Sequence, residues 1–164
     1  MHLNKLEVLR YLGYNNQNID NNIQNLLDEC IYEIGEISQE RFIYDTYPIE
    51  KLDDLLTFKN TTLTTRSKDV ANHLSQSNRC TLMAASLGLE VDKKITYYAK
   101  VNMTKSVILD ACASTAIESL CDEAQEKIRQ EAHGQGYHIT SRFSPGYGDF
   151  PITLQKEFVA ILKA

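Results

Sequence analysis

Apolar residues recur along this chain at spacings that change from segment to segment, and the changes mark out the elements. Leu3, Leu6, Leu9 and Leu12 stand close to helical spacing and stop at Gly13, which predicts a short opening helix. After a polar stretch from Tyr14 to Asn18, the residues Ile19, Ile23, Leu26, Leu27, Cys30, Ile31, Ile34 and Ile37 repeat every three or four positions. They form the stripe of an amphipathic helix that ends near Ser38. The segment Arg41 to Ile49 is rich in aromatic and β-branched residues and predicts a strand, with Pro48 keeping its end at a sheet edge. Leu55 to Thr62 reads as a second strand, and Ser67 to Ser77 as a short helix capped by the preceding Thr and Ser residues. Arg79 to Leu87, closed by Gly88, predicts a buried strand, and Glu90 to Lys100 a helix.

The strongest helical signal runs from Lys105 to about Ala132, with Leu109, Ala113, Ala116, Leu120, Ala124 and Ile128 on one stripe. Gly134 and Gly136 suit its exit, because glycine inside a helix costs about 1 kcal/mol relative to alanine. Tyr137 to Phe143 alternates like a strand, Ser144 to Pro151 reads as a loop, and Ile152 to Lys163 as a last helix. No repeat, low-complexity tract or long linker divides the chain. Strands separated irregularly by helices predict an α+β fold in one domain, 1–164, with a helical part over 1–40 and an α+β part over 41–164.

A length of 164 residues is enough to remove roughly 70% of the unfolded surface from water in a single core. The formal charge of −5 and the lack of a Lys/Arg stripe argue against a general nucleic-acid binder, since phosphate affinity comes from clustered cations. No apolar run reaches the roughly 20 residues of a membrane span, and no apolar stretch follows Met1-His2-Leu3-Asn4-Lys5 as in a secretory leader. A cytoplasmic protein that binds neither membrane nor nucleic acid is expected. Cys30, Cys80, Cys112 and Cys121 are too scattered for a disulfide framework and read as reduced, mostly buried thiols. His133 and His138 flank a glycine turn without a third ligand, so no metal site is expected.

Two stretches depart from the ordinary pattern. Arg142-Phe-Ser-Pro-Gly-Tyr-Gly-Asp-Phe-Pro151 sets two Gly, two Pro and three aromatics in one loop. Its glycines can bring backbone close to a flat ligand, and the planar fork of Arg142 can hold a carboxylate through two hydrogen bonds. Equally, Pro and Gly can simply shape a tight turn while Arg142 pairs with a surface acid. On the long helix, Glu118 and Asp122 stand among the small residues Ala111, Ser114 and Thr115, opposite the apolar stripe. That face reads either as a surface that lets a ligand or another element approach closely or as a plain solvated acidic face. Phosphate loops, dinucleotide fingerprints, metalloprotease helices and nucleophile elbows are all absent.

The pattern RxxxGY at Arg142 to Tyr147 resembles the S-adenosylmethionine-binding motif of the activation domain of cobalamin-dependent methionine synthase. The longer wording from Arg142 to Pro151, followed by Leu154-Gln155, is similar to stand-alone homologues of that domain, as are Leu82 to Gly88 and Leu109-Asp110-Ala111 to Glu118. The likeness spans about Leu63 to Leu162.

It implies a mainly antiparallel, twisted sheet with long helices, and a helper in the reductive reactivation of a corrinoid cofactor. In that family an electron, from a flavodoxin-like donor in bacteria, and a methyl group from S-adenosylmethionine restore the oxidised cob(II)alamin. Carried over to this chain, the S-adenosylmethionine contacts are Glu118, Arg142, Ser144, Pro145, Gly146 and Tyr147. Arg142 takes the methionyl carboxylate, the loop backbone through Gly146 cradles the nucleoside, and Glu118 meets the ammonium or ribose hydroxyls. No catalytic group or metal is demanded, because the transfer needs positioning rather than acid–base chemistry.

The partner implied is a cobalamin-carrying methionine synthase or another corrinoid protein, and the chain by itself has no complete activity. The family's acidic contact just before the Arg has no match here, where Gly136 to Ser141 offers no acid. Relatives also continue past the position of Ala164 with a segment containing Ser and Pro, so the resemblance implies a shortened C-terminus. Those two departures favour an alternative, a docking or regulatory partner of a corrinoid protein that no longer binds S-adenosylmethionine. An independent methyltransferase is a third reading, weakened by the lack of a glycine-rich nucleotide loop.

Overall fold

A computed structural model describes residues 3–14 and 19–164. The expected polar stretch from Tyr14 to Asn18 therefore lies outside the described residues, apart from Tyr14, as does the Met1-His2 start. The chain is of mixed α+β class, 54% helical and 16% strand, with an antiparallel four-stranded sheet that curls. Its elements in order are α1 (Lys5–Tyr11), α2 (Asn21–Ile37), β1 (Arg41–Leu52), β2 (Leu55–Phe58), β3 (Thr64–Thr65), α3 (Lys68–His73), β4 (Arg79–Ser86), α4 (Leu89–Val101), α5 (Met103–Gly134) and, after a single 3-10 turn at Ile152–Leu154, α6 (Gln155–Leu162). Two compact units emerge, each made of two separated stretches: Met1–Arg41 with Ala85–Glu126, and Phe42–Ala84 with Lys127–Ala164.

The first unit is almost entirely helical. Asn4 and Asp20 cap α1 and α2, their side chains accepting from the Leu6 and Asn22 amides. The α2 stripe faces inward as expected, with Leu27, Cys30 and Ile34 fully buried. In α1 the every-third leucine pattern misleads: Leu6 is 75% exposed and Val8 is buried. A repeat of three drifts around a helix of 3.6 residues per turn, so four leucines cannot all share one face. Asn102 ends α4 and starts α5, where its side chain accepts from the Lys105 amide at 3.1 Å.

Along α5 the buried face is wider than the expected stripe. It takes in Ala111, Cys112 and Thr115 beside Leu109, Ala116, Leu120 and Ala124, while Ala113 is half-exposed. Thr115 can be buried because its hydroxyl donates to the Ala111 carbonyl at 2.9 Å.

A polar cluster ties α2, α4 and α5 together. The Glu33 carboxylate lies 3.2 Å from Lys105 Nζ and 3.3 Å from Lys94 Nζ, and accepts from the Tyr98 hydroxyl at 3.1 Å. The Lys105 ammonium also stands over the Tyr98 ring at 4.7 Å.

Most of the sheet belongs to the second unit. Strand order is β3-β2-β1-β4, which makes β1 an inner strand. This corrects the expectation that Pro48 marks an edge. Pairing with β2 covers only Ile49 to Leu52, and the Pro48 carbonyl accepts from Lys59, just past the end of β2, at 2.9 Å. Pro48 thus stands opposite Lys59, one position past the last β1–β2 pair, so the hydrogen it lacks costs only a bond at the frayed end of that ladder.

Burial along β1 alternates until Asp45 and Thr46, both exposed, and then resumes with Tyr47 and Ile49 inward. The Asp45 carboxylate accepts the Thr46 amide at 2.8 Å. The half-buried positions therefore shift by one residue here, from Phe42 and Tyr44 to Tyr47 and Ile49, the pattern that an extra residue in a strand produces. The C-terminal turns of α5 cover the first pair: Lys127 Nζ lies 5.7 Å from the Phe42 ring and 5.9 Å from the Tyr44 ring, and Glu131 accepts from the Tyr44 hydroxyl at 2.8 Å. The core of this unit is Leu56, Phe58, Leu63, Val70, Leu74, Leu82, Phe150 and Leu162.

Tyr137 to Phe143, expected as a strand, joins no sheet. Tyr137, Ile139 and Phe143 are half-buried between exposed neighbours, so the alternation reports burial of an extended segment without a ladder to hold it. Among the described residues no helix is long and apolar enough to cross a membrane.

Candidate functional site

The glycine-rich segment sits between α5 and α6 and folds on itself. The Ser144 carbonyl accepts from the Tyr147 amide at 3.2 Å, the Tyr147 carbonyl from Phe150 at 2.9 Å, and the Phe150 carbonyl from Gly146 at 2.8 Å. Two of its three aromatics anchor it. Phe150 is buried and lies 6.2 Å from both Phe143 and Phe158, while the Phe143 ring stands 5.3 Å from that of His73. Tyr147, in contrast, is 68% exposed.

Each glycine of the loop has a definite reason. At Gly148 (φ +53°) a Cβ would lie 2.0 Å from Asp69 Oδ2, and at Gly146 (φ +103°) it would lie 2.9 Å from Ile152 Cδ1. The close approach that glycine permits is in both places an approach to this protein's own side chains.

The carboxylate of Asp149 binds the start of α3. It accepts from the Ser67 hydroxyl, from the Lys68 amide at 2.7 Å and from the Asp69 amide at 3.2 Å. Asp69 returns the contact, its carboxylate accepting from the Asp149 amide at 3.1 Å. The bond from Ser67, with help from the two amides, holds the Asp149 carboxyl below the usual aspartate range. Ser67 meanwhile caps α3 as expected, its hydroxyl oxygen accepting from the Val70 amide at 3.1 Å.

Of the residues expected to contact a ligand, Arg142, Ser144, Gly146 and Tyr147 are exposed on this loop, and Pro145 is buried beneath it. Glu118 is exposed on α5, within the first unit. A guanidinium that can grip a carboxylate thus shares one short loop with an exposed phenol ring that can lie against a flat group.

Sequence reasoning quoted Asp149 without giving it a role and passed over Asp69 and His73. The usable signal was that Asp149 is the only acid between Arg142 and Pro151, and lies directly after a glycine. His133 and His138 have ring centroids 6.3 Å apart, and among the described residues no cluster of three or more His, Cys, Asp or Glu side chains could hold a metal ion. All four cysteines are free thiols. Set beside known proteins, the chain matches no protein-family model and no curated sequence.

Proposed function

We propose that this chain binds S-adenosylmethionine and acts as an accessory subunit in the reductive reactivation of a cobalamin-dependent methionine synthase. The observation that carries the reading is the Arg142–Tyr147 loop, a self-bonded turn that presents Arg142 and Tyr147 outward and resembles the activation-domain motif. Arg142 takes the methionyl carboxylate, Tyr147 lines the nucleoside, and Ser144, Pro145 and Gly146 supply the intervening wall. The corrinoid on the partner protein supplies the cobalt chemistry, with an electron from a flavodoxin-like donor, so this chain contributes orientation alone.

Calorimetric titration with S-adenosylmethionine tests the reading. Micromolar binding is expected, and Arg142→Ala should weaken it at least thirtyfold, because losing a charge-assisted pair that the bound ligand shields from water costs about 2 to 5 kcal/mol. Absence of heat with the intact protein would overturn it. The second reading, a docking partner of a corrinoid protein without ligand, has one observation in its favour. The amides of Gly146, Tyr147 and Phe150 are consumed within the loop, and both glycines turn their open sides to Ile152 and Asp69. Co-elution with a corrinoid protein, with no thermal shift on adding S-adenosylmethionine, would select it.

A further inference from the structure

Both ends of the candidate loop are fastened to the same short helix. At the start of α3, Asp149 accepts from the Ser67 hydroxyl and the Lys68 and Asp69 amides, and Asp69 accepts from the Asp149 amide. At its end, His73 Nε2 lies 2.8 Å from the Ser141 carbonyl oxygen and 3.2 Å from Thr140 Oγ1. A carbonyl only accepts, so the Nε2 nitrogen carries the hydrogen. Ser141 directly precedes Arg142, and Asp149 closes the glycine-rich turn. The stretch that carries the proposed ligand contacts is therefore framed by two anchors on one short helix, which Val70 fixes in the core.

We propose that α3 is a two-point clasp that holds the 141–149 loop in one shape before any ligand arrives, with His73 as a positioning residue for Arg142. The clasp stands on the hydrogen bonds above, and the positioning role rests on the S-adenosylmethionine reading. A loop fixed beforehand loses less conformational freedom on binding, so releasing one anchor should cost affinity without removing a contact. The side-chain amide nitrogen of glutamine reaches about as far from Cβ as His Nε2 and can donate to the Ser141 carbonyl, whereas that of asparagine falls short.

The experiment compares the intact protein with His73→Ala, His73→Gln and His73→Asn. Amide hydrogen exchange is read over residues 141–149 without ligand, with the amides of Ile108 and Leu109 in α5 as a control for folding. His73→Ala and His73→Asn should speed loop exchange at least tenfold and leave the control unchanged, while His73→Gln restores slow exchange. Unchanged loop exchange in His73→Ala would overturn the clasp. In parallel titrations with S-adenosylmethionine, the alanine variant should bind five- to thirtyfold more weakly and the glutamine variant within about threefold of the intact protein. Equal affinity of the alanine variant and the intact protein would overturn the positioning role. Should the intact protein bind nothing, the ligand reading fails with that role, and the exchange rates alone decide the clasp.

Discussion

The carboxylate of Asp149 accepts a hydrogen bond from the hydroxyl of Ser67, a residue 82 positions earlier in the chain, and so joins the glycine-rich loop to the first turn of α3. Without that contact, three donors at the start of a six-residue helix would lose their shared acceptor.

Because Ser67 and the Lys68 and Asp69 amides favour the ionised form, the Asp149 carboxyl sits below its ordinary range in the folded protein. A lowered carboxyl contributes stability that is present above the unfolded value, near 4, and lost as the pH falls through the folded value. Asp149→Asn should therefore lower the urea midpoint at pH 7, and the difference from the native protein should shrink steadily below about pH 4. Urea titrations of both proteins at pH 7 and pH 3 check this, and an unchanged difference at the lower pH would contradict it.

Gly148→Ala places a Cβ against the Asp69 carboxylate in a left-handed backbone conformation. A non-glycine residue held there costs about 1 to 3 kcal/mol, and moving Asp69 aside would also release the Asp149 amide. Denaturant unfolding should show a loss in that range, larger than for Gly134→Ala, where an added Cβ meets nothing within 4 Å.

Glu33 and Lys105 form an ion pair whose side chains are only 17% and 16% exposed. Burial pushes the Glu33 carboxyl up, but Lys105, Tyr98 and Lys94 outweigh it and hold the group below its usual value. Lys105, which burial alone would lower, is raised above its usual value by Tyr98 and Glu33. The first contribution fades only as acid protonates Glu33, and the second only above the ordinary lysine range near 10.4, which leaves a plateau across neutral pH. Removing Lys105 leaves Glu33 to Lys94 and Tyr98 alone, so Lys105→Met should destabilise by about 1 to 2 kcal/mol. The double variant Lys105→Met with Glu33→Gln should recover most of that loss, and additive losses would contradict the pairing.

Burial pushes the Cys30 and Cys80 thiols up to about 11, and the Cys112 thiol up to about 12. Since the thiolate is the reactive form, these three should react slowly with a disulfide reagent at pH 7.5 in the folded protein and rapidly in urea. Mass mapping of the labelled cysteines reads the outcome directly.

The Ser38 hydroxyl at the end of α2 is buried and has no hydrogen-bond partner. An unmet buried hydroxyl is costly, so Ser38→Ala should be neutral or stabilising by up to about 1 kcal/mol in the same urea assay.

Much of the fold was legible in the residues because one periodicity dominated each segment. The three- and four-residue repeat from Ile19 to Ile37 and the glycine stop after Ala132 located α2 and the end of α5 to within about two positions. Ser67 was recognisable as a cap because a hydroxyl before an apolar-periodic run has one favoured use. The two-residue strand β3 carried too few positions to show any period. Ala111 and Thr115 lie opposite the apolar stripe by their angle on the helix and are nonetheless buried, Thr115 with its hydroxyl bonded to the Ala111 carbonyl.

The amino-acid sequence by itself determined the longer helices and strands of this chain, because local spacing, capping and glycine placement act over neighbouring residues. It also singled out Arg142 to Pro151 as unusual in composition. Only the tertiary structure decided that Asp149 and His73 frame that loop, that its glycines face Asp69 and Ile152, and that β1 lies inside the sheet. The two anchors join residues 68 and 82 positions apart, and no period or short motif records which distant partner a side chain will meet.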